Sequence, residues 1–85
     1  MSRSVFSEPY QAFTQALVDA RKNAGLRQEE LAARLGKPQS FVSKVERGER
    51  RLDVVEFLIV MRAIGVDPLA ILANIDGRLS ADARL

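Results

Sequence analysis

Apolar positions along this chain recur at three- and four-residue intervals and nowhere alternate over the length of a strand. That periodicity predicts five helices and no sheet. The first begins after Ser7, an N-cap, with Pro9 in the first turn, where a missing N–H costs nothing. Tyr10, Phe13, Leu17 and Ala24 face the core, and Gly25 ends the helix. The second runs from about Gln28 to Leu35, with Leu31, Ala32 and Leu35 inward and Glu29 and Glu30 near its positive end. Gly36 stops it and supplies the positive φ of a tight turn.

The third helix is expected to take Pro38 as its first residue, to run to about Glu46, to turn Val42 and Val45 inward and to close at Gly48. "DVVE" opens the fourth, with Asp53 as N-cap and Glu56 three residues later completing a capping-box pattern; Gly65 stops it. Its core face is expected to be Val54, Phe57, Leu58, Met61 and Ile64. "DPLAIL" opens the fifth with an Asp cap and a proline, and this helix fades near Asn74. The organisation is one all-α domain over residues 1–85, with a core from about 8 to 75, a short N-terminal arm and a C-terminal tail.

Composition acts mainly by exclusion. The chain has 85 residues, no cysteine and no histidine, so disulfides, thiolate metal sites and the commonest general base are absent. With no clustered carboxylates and no phosphate-cradling glycine loop either, nothing assembles a catalytic, metal or cofactor site, and the chain is expected not to be an enzyme. No segment reaches transmembrane length and the start, "MSRSVFSEPY", has no apolar run of signal-peptide kind, so a cytoplasmic protein without a membrane partner is expected.

Net charge is only +2, but its distribution is uneven. From Arg34 to Arg51 six basic side chains face two acidic ones, a net of +4, which leaves −2 for the rest. A local positive field on a nearly neutral body favours a localised polyanion contact. The same stretch holds two short helices joined by a glycine-containing turn, the unit that places its second helix in the DNA major groove. Ala32 permits the close crossing, Gly36 the turn, and Val42 with Val45 anchor the rear of the second helix.

That arrangement leaves Gln39, Ser40, Ser43 and Lys44 outward at the helix front. A glutamine amide donates to and accepts from adenine, lysine donates to guanine acceptors, and serine adapts to either. Arg47, Arg50 and Arg51 follow where flanking phosphates would pass, although one of them has Glu49 as an alternative partner. Phe41 either meets a thymine methyl or packs beside the second helix.

"LRQEELAARLGKPQSFVSKVERGERRLDVVEFLIVMRAIGVDP" resembles the phage-repressor-like (Xre/Cro type) helix-turn-helix family, over about Phe13 to Leu72. Q-E-E-L-A, the turn glycine, Q-S-x-V-S-K, V-E-R-G and the apolar helix ending A-I-G-V agree together. The resemblance implies a five-helix lambda-repressor-like fold and a transcriptional regulator, expected to be a repressor, that binds operator double-stranded DNA as a homodimer. It implies that Gln28 touches the DNA backbone and braces the reading helix, that Gln39 reads a base beside Ser40, Ser43 and Lys44, and that Arg21 pairs with Glu46.

Three positions depart from the family pattern: Arg27, Lys37 and Phe41, whose aromatic ring stands on the reading face. Arg27 stands where a capping Ser or Thr is common, a loss of about 1 kcal/mol unless Arg27 serves a phosphate. Lys37 replaces an apolar turn residue and joins the backbone-contacting set. Val55 and Ile59 lie one turn apart on the outer face of the fourth helix; with Ile75 and Leu79 they form either a dimer seam or a surface covered by the tail. The alternative function is an antitoxin or restriction-system controller acting with a protein partner through the same fold.

Overall fold

The computed structural model of the protein describes residues 7–85, so all of the expected N-terminal arm before Ser7 lies outside the described residues. Five helices follow in order: α1 (Glu8–Asn23), α2 (Gln28–Leu35), α3 (Gln39–Glu46), α4 (Val54–Ile64) and α5 (Pro68–Asp76), with no strand among the described residues. α2 packs on α3 and α4, and α1 packs on α3 and α5.

Three of the helices, α1, α4 and α5, begin at a polar side-chain cap. The Ser7 side chain accepts from the Tyr10 N–H, and the Asp67 carboxylate accepts from the Leu69 N–H. At α4 the capping box is reciprocal: Asp53 N donates to Glu56 Oε1 at 2.9 Å and Glu56 N to Asp53 Oδ1 at 2.8 Å. At α2 only half of such a box exists. Glu30 Oε1 accepts from Arg27 N at 2.8 Å, and arginine has no acceptor to return the bond.

The α2–α3 turn is a Schellman closure. Gly36 N donates to Ala33 O and Lys37 N to Ala32 O, with Gly36 at φ 69°. Pro38 is corrected by one position: it is the N-cap, extended at φ −71° and ψ 159°, and α3 starts at Gln39. Extension suits Pro38 because the turn must carry the chain outward before the helix can wind.

The core joins Leu17, Leu31, Ala32, Val42, Val45, Phe57, Val60, Met61 and Ile64. Phe13 bridges Tyr10 and Phe57 with ring centroids 5.5 and 5.4 Å apart. Three inward assignments need correction. Ala24 is exposed because α1 has already ended at Asn23. On α4 the buried stripe is Phe57, Val60, Met61 and Ile64, leaving Val54 and Leu58 exposed. α4 is apolar on nearly every side, so its packing against α2 and α5, with Phe13 of α1 on Phe57, decides which stripe is covered. α5 also runs past Asn74 to Asp76.

Candidate nucleic-acid interface

α3 carries two faces of opposite character. Val42 and Val45 are buried, while Gln39, Ser40 and Lys44 are exposed on the other side. Because residues three and four apart share a helix face, the short sequence Gln39–Glu46 leaves no other arrangement once the valines are inside.

Behind the exposed face lies a buried ion pair. Arg21 Nε donates to Glu46 Oε2 at 2.7 Å and Nη2 to Glu46 Oε1 at 3.0 Å, with side chains only 8% and 7% exposed. Arg21 Nη1 also donates to Leu26 O at 2.8 Å, which ties the end of α1 to the start of α2. Glu46 Oε1 further accepts from Gln28 Nε2 at 2.9 Å, and Gln28 Oε1 accepts from Gln39 Nε2 at 3.3 Å. A continuous relay thus runs from the interior to the tip of the exposed helix.

The remaining α3 positions divide. Ser43 is half-buried and its hydroxyl accepts from Arg47 Nη1, which leaves its own O–H and one lone pair available. Phe41 packs against the core, and its ring faces two cations, with Lys37 Nζ 5.4 Å and Arg50 Cζ 5.2 Å from the centroid. Of the two expectations for Phe41, this placement favours packing beside α2: the half-buried ring lies against the core and its face meets the flanking cations.

The six basic residues do not form one uniform patch. Arg34 leaves it altogether, donating to Ala63 O at 2.8 Å and neutralising the negative end of α4. Arg47 binds Glu49 through Nε and Nη2 at 2.8 and 3.2 Å. This bond lowers the Glu49 pKa and raises that of Arg47. Arg50 binds both oxygens of Glu56 at 2.7 and 2.8 Å. The Arg50 guanidinium, aided by the Asp53 N–H, holds the Glu56 carboxyl down at about 2. Arg51 lies over the Tyr10 ring, 4.1 Å from its centroid.

Lys37 and Lys44 have no hydrogen-bonded carboxylate among the described residues. Arg27, exposed at the start of α2, pairs with Glu30 at 3.4 Å, and hydrogen bonds from Arg27 lower the Glu30 pKa.

Residue spacing did not point to Glu56 or Tyr10 as parts of this region, and it counted Arg34 into a basic stretch that Arg34 leaves for Ala63 O. The capping box marked Glu56 only as a helix-start residue. Its bond to Arg50 depends on how the α3–α4 loop folds, which no local pattern encodes.

The outer surface of α4 is open. Val55 and Ile59 are 64% and 53% exposed, Leu79 is exposed and Ile75 half-buried. The tail, exposed along residues 77–85, does not cover them.

Comparison with known proteins agrees with this geometry. A helix-turn-helix family model matches residues 17–71, from the middle of α1 into α5. The solved structure of an XRE-family like protein from Pseudomonas syringae pv. tomato is 56% identical, with a TM-score of 0.76, over 81% of this chain and 84% of that one. The restriction-modification controller protein C.AhdI from Aeromonas hydrophila is 35% identical, with a TM-score of 0.67, over 73% of this chain and 90% of its own. An uncharacterized HTH-type transcriptional regulator of Sinorhizobium fredii, y4dJ, is 36% identical over 56 residues, which is 66% of this chain and 73% of that protein.

Proposed function

The chain belongs to the helix-turn-helix family of Xre type, whose members are DNA-binding transcriptional regulators, and from that premise we propose that it represses transcription as a homodimer on a two-fold operator. In this reading α3 of each copy lies in the major groove, with the two helices about 34 Å apart. The observation that carries the proposal is the braced tip of α3. Gln39 is exposed, yet its amide is held by Gln28 and so indirectly by the buried Arg21–Glu46 pair. An oriented amide discriminates between bases, which a freely rotating one does poorly.

Roles follow from where each side chain lies. Gln39, Ser40 and Lys44 meet base edges, and Ser43 contributes its O–H and its second lone pair. Arg27, Gln28, Lys37, Arg47, Arg50 and Arg51 flank the groove and take phosphates, which position the helix without reading sequence. Val55 and Ile59, with Ile75 and Leu79, form the seam between copies. Such a regulator works in the cytoplasm.

Selection from a random duplex pool tests the proposal. Retained duplexes should share a two-fold motif, and binding should weaken steeply as salt rises, because each neutralised phosphate releases counterions. A chain that retains no duplex in dilute buffer, or retains all of them equally, overturns the reading.

A second reading rests on the likeness to C.AhdI: control of a restriction-modification system. It differs in the genes served and not in the chemistry of binding. Mapping bound DNA across the genome separates the two.

A further inference from the structure

Three arginines among the described residues grip a carboxylate with two nitrogens, and they do not grip it alike. Arg21 and Arg47 both use the Nε–Nη2 edge, toward Glu46 and Glu49 respectively. Arg50 uses its far end instead, Nη1 and Nη2, toward the two oxygens of Glu56. The second Nη1 hydrogen is taken by the Arg51 carbonyl.

A guanidinium has five N–H donors in one plane. Three of those of Arg50 are thereby used, and the two left over are the Nε–H and one Nη2–H. These lie side by side on one edge, the parallel fork that matches two oxygens of a phosphate.

The guanidinium is also fixed out of plane. The Phe41 ring lies 5.2 Å beneath its central carbon, and Lys37 stands over the same ring at 5.4 Å. Glu56 is fixed in turn, since Oε1 accepts from Asp53 N at the start of α4. Arg50 itself remains 41% exposed.

We infer that Glu56 is a positioning residue for DNA binding: with the Phe41 ring it holds Arg50 so that the open Nε–Nη2 edge clamps one backbone phosphate. The inference rests on the reading of the chain as a DNA-binding regulator. Holding a long side chain in its bound geometry removes an ordering cost that binding otherwise meets, worth roughly three- to tenfold in affinity. Simple Coulomb reasoning points the other way, because an acidic group near DNA repels phosphates. The sign of the effect therefore decides.

The test uses the full chain and a duplex selected by it from a random pool, alongside an unrelated duplex. Glu56→Gln keeps an amide oxygen to cap α4, since glutamine also serves at that position. It loses the two-oxygen grip on Arg50. Its affinity should fall roughly three- to tenfold on both duplexes alike. Arg50→Ala should weaken binding at least as much, and the double variant R50A/E56Q should match R50A to within about twofold. Asp53→Ala loosens the same helix end while leaving the Arg50–Glu56 grip; its melting temperature should fall but its affinity should stay within about twofold of the parent. Phe41→Leu should lose affinity uniformly across operator variants.

E56Q binding as tightly as the parent or tighter overturns the inference. So does D53A losing as much affinity as E56Q, or a double variant falling well below R50A. Sequence-dependent loss in F41L overturns the part given to the ring. A parent that binds no duplex overturns the functional reading itself, and this inference with it.

Discussion

Gln28 and Gln39 stand on different helices, and a single amide–amide hydrogen bond of 3.3 Å joins them. The bond matters because of what lies behind it. Gln28 is held by Glu46, and Glu46 by Arg21, so the orientation of an exposed glutamine is set by a buried ion pair. Gln39 and Gln28 should consequently fail in different ways. Gln39→Ala should erase preference at one base-pair position of each half-site, at about 1–3 kcal/mol. Gln28→Ala should leave Gln39 present but unheld, blurring the same preference and lowering affinity by about 0.5–1.5 kcal/mol, the worth of one hydrogen bond. Binding to a panel of single-site operator variants checks both; unchanged ranking in Q39A would remove Gln39 from the reading set.

The Arg21–Glu46 pair is expected to dominate stability more than binding. Removing one member leaves an unpaired charge at a site almost closed to water, at about 3–5 kcal/mol. That is a large part of the stability ordinary for a domain of this size. Arg21→Met alone should therefore lower the urea midpoint severely, and R21M with Glu46→Leu should recover much of the loss. A single variant as stable as the parent would show that the pair contributes nothing.

Much of this was legible in local chemistry, and the exceptions have physical reasons. Helix ends follow from Ser7, Asp53 and Asp67 at the starts and from Gly36 and Gly65, both left-handed, at the stops. The inward valines of α3 follow from a helix too short to have any other apolar face. The buried stripe of α4 does not follow, because "VVEFLIVMRAI" offers apolar residues to every side, and Val60 took the place expected of Val54 and Leu58. Nor does the fate of the cations. Arg34 and Arg50 look equivalent as charges, but one closes the end of α4 through Ala63 and the other grips Glu56. Such partners are chosen by the path of loops, which charge spacing does not record.

Acid should release the Arg50–Glu56 link in a defined window. Glu56 titrates at about 2 in the folded protein, against 4.5 ordinarily, because Arg50 and the Asp53 N–H both favour its charged form. A carboxyl depressed in this way stabilises the fold fully above about pH 4.5 and loses that contribution as pH falls toward 2. The melting-temperature gap between parent and E56Q should be constant near neutrality and close across that window. The lowered Glu30 and Glu49 groups are common to both proteins and drop out of the difference. A gap independent of pH would show that the link adds no stability.

The open face of α4 should govern assembly. Val55 and Ile59 sit one turn apart and largely in water, with Leu69 and Leu72 of α5 also exposed. Apolar area of this kind, unshielded by the tail, is what two copies related by a two-fold axis would cover. Ile59→Glu places a like charge on both sides of that axis. The parent should sediment as a dimer, and I59E as a monomer of unchanged helix content, since Ile59 lies outside the core cluster. Two linked reading helices gain roughly a hundredfold or more over one, so I59E should lose about that factor on the full operator and far less on an isolated half-site. Equal losses on both would mean that the substitution damaged α3, and a dimeric I59E would place the seam elsewhere.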